Sequence, residues 1–204
     1  MQAMKSGLNV ALLLTAAALA HTASGAVILD IDGSGKLTGA RNVDVLGTLY
    51  DVAFVDGTCG VAFAGCDSVF DFAFPSNVPG ATAAGQALLD TVFIDSAAGM
   101  FDSAPNLVAG CGDSFVCMAL IPTNIAFDVV FGYDAVNFGQ GIGDLVSTFN
   151  PVAIAGDLST VARQVWAVFT PAAPAPVPEP TTVALFAAGL AGFWLGGRRR
   201  RGAG

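Results

Sequence analysis

The chain has 204 residues, of which 54% are hydrophobic and 12% charged, with a formal net charge of −8. That length suits one domain with appendages, and fifteen Phe exclude an intrinsically disordered chain. The acidic balance excludes the basic face that nucleic-acid binding requires. Charge is unevenly placed. All acids but Glu179 are Asp, and every Asp lies between Asp30 and Asp157. From Val27 to Val177 the fifteen Asp meet only Lys36, Arg41 and Arg163, so the central body carries −12. Four of the eight bases are the run Arg198 to Arg201.

The first element is an export leader. Lys5 precedes an apolar run from Leu8 to Ala20, followed by the small residues around Ser24-Gly25-Ala26. A basic start, an apolar core and a small-x-small end form a secretory signal peptide, cut by signal peptidase near Ala26. The competing reading is a buried N-terminal helix, but no polar face recurs along the run. His21, the only histidine, leaves with the leader.

The exported body spans residues 27–170. Val27 to Ile31 reads as a strand, closed by the turn composition Asp32-Gly33-Ser34-Gly35. A second strand runs from Lys36 to Val45, Leu46-Gly47-Thr48 turns, and Leu49 to Val55 alternates as a third. Together they predict a meander or hairpin. Ala81 to Ile94 places Ala84, Leu88, Thr91 and Val92 near one helical face, with Thr82 as the expected cap. Further strands are expected at Phe115–Leu120, Ile125–Tyr133 and Val165–Phe169. A Gly-rich loop is expected at 139–143, and a helical turn at Ser159–Gln164. The expected fold is α+β, a small antiparallel sheet with one main helix, or all-β should the helix fail.

Cys59, Cys66, Cys111 and Cys117 are an even set in an exported chain and so imply disulfides. Three pairings are open. The local pairs Cys59–Cys66 and Cys111–Cys117 are favoured because each brackets a Gly-containing loop. A metal site would need four cysteinates at spacings looser than the usual zinc pairs. With no histidine in the body there is no Ser-His-Asp or Cys-His machinery, and no phosphate loop or dinucleotide fingerprint occurs. Asp30-Ile31-Asp32-Gly33-Ser34-Gly35 matches the start of an EF-hand, but position twelve is Arg41 where a bidentate carboxylate is needed. A Gly-rich hairpin is the better reading. Weak Ca²⁺ binding at Asp30 and Asp32 stays open, because so acidic a body attracts divalent cations; no other cofactor is expected.

Residues 171–180 hold five prolines and form an extended, semi-rigid linker. Residues 181–204 follow. Thr182 to Gly197 is uncharged and would span about 24 Å as a helix, slightly short of a bilayer core. Arg198, Arg199, Arg200 and Arg201 stop it and hold that end in the cytoplasm, leaving the body outside. Four glycines make the anchor marginal, and Gly192-x-x-x-Gly196 reflects small residues more readily than helix pairing.

Val177-Pro178-Glu179-Pro180, then a short apolar helix, then terminal arginines, resembles a PEP-CTERM sorting signal, whose carriers share this order from leader to basic tail. The resemblance covers residues 177–201. It implies recognition at Pro178, Glu179 and Pro180 by an exosortase, a membrane cysteine transpeptidase that discards the helix. It implies passage through the inner membrane of a Gram-negative bacterium, and then the cell surface or an exopolysaccharide matrix. A permanently anchored protein is the plainer alternative. Gly47 to Val52, Val55 to Cys59 and Cys66-Asp67 also resemble bodies carried on such tails, to which no activity is attached. The expected function is therefore a non-enzymatic, exported surface or matrix protein that partners exopolysaccharide. A Ca²⁺-dependent adhesion module and a secreted hydrolase acting through Asp carboxylates are the alternatives.

Overall fold

A computed structural model describes residues 25–139 and 141–173. The leader up to residue 24, the Pro-Glu-Pro motif, the uncharged stretch and the arginine run lie outside the described residues. In chain order the elements are β1 (Ile28–Ile31), β2 (Leu37–Val45), β3 (Thr48–Val55), α1 (Cys59–Ala62) and α2 (Val78–Thr91). They continue with β4 (Asp95–Ser96), β5 (Gly99–Met100), β6 (Val116–Ala126), β7 (Val129–Phe138), β8 (Leu145–Thr148), β9 (Val152–Ala153) and β10 (Gln164–Pro171). The body is a sheet with one main helix, as an α+β fold requires. No helix among the described residues is long and apolar enough to cross a membrane.

The main sheet has the order β1-β2-β3-β10-β6-β7-β8, with β9 also on β7. The first three strands form the expected meander, turning at Leu46-Gly47 with Thr48 already in β3. The sheet is not wholly antiparallel. The last strand enters between β3 and β6 and runs parallel to β6, with Gln164 beside Met118 and Trp166 beside Leu120. Both its faces are then covered, and it reads as a run of buried apolar residues from Val165 to Ala167.

Strand alternation divides the core in two. Val52, Phe54, Ala119, Ile121, Ala135, Val165, Ala167 and Phe169 belong to one cluster with Ala81, Ala84, Leu88 and Val92. Small residues let α2 approach closely. A Cβ on Gly85 would stand 3.0 Å from Val146 of β8. On the opposite face Trp166 meets the ring of Phe63 at 5.7 Å, edge to face, and Phe63 meets Phe72 at 5.1 Å. Trp166 is fully buried, and its indole N–H donates to the Gly57 carbonyl at 3.1 Å.

Several boundaries differ from expectation. The helix begins at Val78, not Ala81, because Asn77 caps it: its side-chain oxygen accepts the Gly80 N–H at 3.0 Å. Pro79 in the first turn lacks an N–H that would have had no partner anyway. Thr82 lies inside the helix and donates to the Val78 carbonyl at 2.9 Å. The helix also stops at Thr91, short of Ile94. The strands expected at Phe115–Leu120 and Ile125–Tyr133 are one long hairpin, β6 and β7. Pro122-Thr123-Asn124 has turn composition but forms a bulge, and the true turn is Phe127-Asp128. The expected helical turn at Ser159–Gln164 is a 3₁₀ turn at Leu158–Thr160, capped by Asp157.

Candidate functional site

The cysteines sit where the sheet needs irregular cover held down. Cys59 joins Cys66 across α1, and Cys111 joins Cys117 at the start of β6. All four are buried, one pair in each core cluster. In the chain-entropy account such short loops contribute about 2.5 kcal/mol each.

The acidic turns are committed to their own backbones. Asp32 Oδ1 accepts the Ser34 N–H at 2.8 Å, the Ser34 hydroxyl at 2.7 Å and the Lys36 N–H at 2.9 Å. The Ser34 hydroxyl first, then these amides, hold its carboxyl below the usual range. Asp30 instead pairs with Arg41, 3.1 Å away. Arg41, the residue that spoils the EF-hand pattern, thus neutralises the first carboxylate of that pattern. Asp113 lies below its usual range through the Phe115 N–H and then Arg163, whose guanidinium reaches it at 2.7 Å. Among the described residues no three His, Cys, Asp or Glu side chains are placed to hold a metal.

Two carboxyls are shifted the other way. Burial raises Asp134 of β7, opposed by the Ser147 hydroxyl, which donates to it at 2.6 Å. Burial also raises Asp144, opposed by the Phe138 N–H, with the negative charge of Asp102 adding to the shift.

A cleft of about 370 Å³ opens where the β6–β7 hairpin passes the start of α2. Its origin is local. Pro122 pairs with Gly132 and Asn124 with Phe131, so Thr123 is the extra residue of a bulge. Bulges re-aim side chains in this way, and proline is tolerated beside one. The Thr123 carbonyl accepts the Ser76 N–H at 2.8 Å and ties the bulge to the helix start. Gly132 is required opposite, because a Cβ there would fall 2.2 Å from the Ile121 carbonyl and 2.8 Å from the Phe149 ring. Thr123, Asn124 and Thr148 bring polar groups to the lining, and Phe131, Tyr133 and Phe149 bring rings. No charged side chain lines the cleft, and neither Asp134 nor Asp144 reaches it. The cleft is nearly silent in the sequence. Its only signals are a proline inside a strand and a glycine opposite, which alone read as a turn and a weak strand position.

The sorting residues Val177, Pro178, Glu179 and Pro180, and the run Arg198 to Arg201, lie outside the described residues. Ala26, the expected leader cleavage point, is exposed just ahead of β1. The body ends by leading directly into the linker: β10 runs to Pro171, and the Ala172 N–H still donates to the Leu49 carbonyl at 2.9 Å. No curated protein and no solved structure matches this chain. One family model does, the PEP-CTERM protein-sorting motif over residues 176–201, so the chain carries the motif that directs exported proteins to exosortase.

Proposed function

We propose that this chain is an exported, exosortase-processed surface or extracellular-matrix protein of a Gram-negative bacterium, non-enzymatic and associated with exopolysaccharide. The sorting motif at residues 176–201 carries this reading. Two disulfides and a strongly acidic body support it, because both suit a soluble protein in an oxidising compartment. The cleft adds support of its own. Rings beside hydroxyl and amide groups, without a carboxylate, suit the holding of a neutral polar ring compound more than acid–base chemistry on it.

Intact mass of the extracellular form tests the sorting step. The expected species lacks the leader and the apolar tail; a mature form that retains Arg198 to Arg201 refutes processing. Co-sedimentation of that species with the cell's own exopolysaccharide tests the destination. The hydrolase reading has in its favour only the carboxyls of Asp134 and Asp144, both raised by burial and both away from the cleft. Polysaccharide cleavage that disappears in Asp134→Asn would replace the non-enzymatic reading. Stabilisation by millimolar Ca²⁺ would favour the adhesion reading.

A further inference from the structure

Two hairpin turns place a bulky apolar residue at their first position. Leu46-Gly47 joins β2 to β3 with φ of 54° and 84°, and Phe127-Asp128 joins β6 to β7 with φ of 53° and 59°. Two consecutive left-handed residues make the two-residue hairpin turn that matches strand twist, and Asn or Gly ordinarily supplies them. A bulky side chain in that conformation is strained. Neither side chain recovers that cost by packing: Leu46 is 74% exposed and Phe127 is 97% exposed. They add nothing to the core, so their use lies outside the chain.

The topology brings both tips to one end of the sheet. β2 and β10 are each antiparallel to β3, and β6 is parallel to β10, so all three run the same way. Pro171 pairs with Tyr50, which pairs with Val43, and the β10–β6 register continued along the strand, with Thr123 the extra residue of the bulge, sets Pro171 level with Ala126. Leu46 therefore stands about 10 Å beyond the end of β10, and Phe127 about 3 Å. β10 lies between the two hairpins, whose tips are three strand spacings apart, about 14 Å. The chain leaves the body along this same strand. Thr182, where the uncharged stretch begins, is nine residues past Ala173, at most about 32 Å of extended chain.

We propose that Leu46 and Phe127 form a two-point contact with the outer leaflet of the membrane while the tail still tethers the body. This rests on the reading of residues 182–201 as a membrane handle. Asp44 and Asp128 stand beside the tips, and neither hairpin end carries Lys or Arg. The contact is therefore apolar, insensitive to salt on a zwitterionic surface, and weakened rather than strengthened by anionic lipid. Two side chains bind too weakly to hold a free body. A short tether raises their effective concentration at the surface, and cutting it releases the body.

The chain contains its own control. Trp166 is fully buried, and the only other tryptophan, Trp194, lies in the uncharged stretch. The full chain is reconstituted in phosphatidylcholine vesicles with brominated acyl chains, and tryptophan emission is read. Trp194 of the unmodified chain reports the tail; Phe127→Trp in a Trp194→Phe background reports the tip. The expected result is quenching of both, roughly twofold at the tip and unchanged by added salt. Quenching of Trp194 without quenching at position 127 overturns the contact and leaves the handle intact. An unquenched Trp194 overturns the handle and the contact with it. Protection at position 127 that requires co-reconstituted exosortase assigns the tips to a protein and overturns the lipid contact. A second variant, Leu46→Asn with Phe127→Asn, suits the left-handed turns and keeps the fold. It is expected to speed proteolysis of the 171–180 linker several-fold on vesicles but not in detergent; equal rates in both overturn the proposal.

Discussion

The two faces of the sheet are covered by opposite means. One lies under α2, a regular helix whose Ala81, Ala84 and Gly85 allow close approach and whose Leu88 and Val92 fill the core. The other lies under an irregular segment from Cys59 to Phe72, one short helix and turns, pinned by a disulfide and packed by rings around Trp166. Where backbone hydrogen bonds repeat, the cover holds itself together. Where they do not, a covalent link and a few large side chains take their place. The helix α2 should therefore keep its protection when a single link is lost, whereas the cover from Cys59 to Phe72 should not.

Trp166→Ala tests this most severely. It empties the centre of the aromatic face and removes one of the two donors to the Gly57 carbonyl, which keeps the Leu158 N–H at 3.0 Å. The expected loss is about 3–5 kcal/mol by denaturant titration. A cost near that of an exposed substitution would end the contrast. Cys59→Ala with Cys66→Ala comes next, at about 2.5 kcal/mol, as does Cys111→Ala with Cys117→Ala. Hydrogen exchange separates the two pairs: losing Cys59–Cys66 should expose amides from Phe63 to Phe72 while α2 keeps its protection. Equal loss on both faces would show that the cover is not held locally. Asn77→Ala removes the cap of α2 and should cost about 1 kcal/mol without changing exchange on the aromatic face.

The smallest expected effect is electrostatic. Asp134 has its carboxyl raised by burial, so between the ordinary value and the raised one the folded chain binds more protons than the unfolded. Its contribution to stability is best at low pH and falls as pH rises through the raised value. Asp134→Asn should flatten that fall in melting temperature from acid to neutral pH. Asp32 and Asp113, held low, act in the opposite sense and lose their contribution on acidification. A steeper fall in Asp134→Asn would mean that the carboxylate is stabilised rather than strained.

The same contrast decides what the sequence could tell. The meander was legible because Asp32 to Gly35 and Leu46-Gly47 carry turn residues between alternating strands. The helix was legible by its apolar spacing, though its cap was not: Asn77 lies four residues before the Ala-rich run that signals the face. The β6–β7 hairpin was misread because Pro122-Thr123-Asn124 has the composition of a turn and Phe127-Asp128 does not. That same inversion conceals the cleft, which exists only because a bulge at Thr123 faces a glycine across the ladder. The position of β10 was illegible for another reason. Which strands a final segment joins depends on contacts more than a hundred residues apart, such as Phe54 with Ala167, and no local pattern encodes them.

Because the strand that closes the sheet is also the last made among the described residues, assembly of the body has to wait until residues 164–171 are in place. Until residues 164–171 emerge, β3 and β6 present bare edges, the sort of surface on which strands from other molecules add. A chain stalled or truncated before that point is thus an aggregation seed, and a completed one conceals its seam at the moment its departure strand slots home.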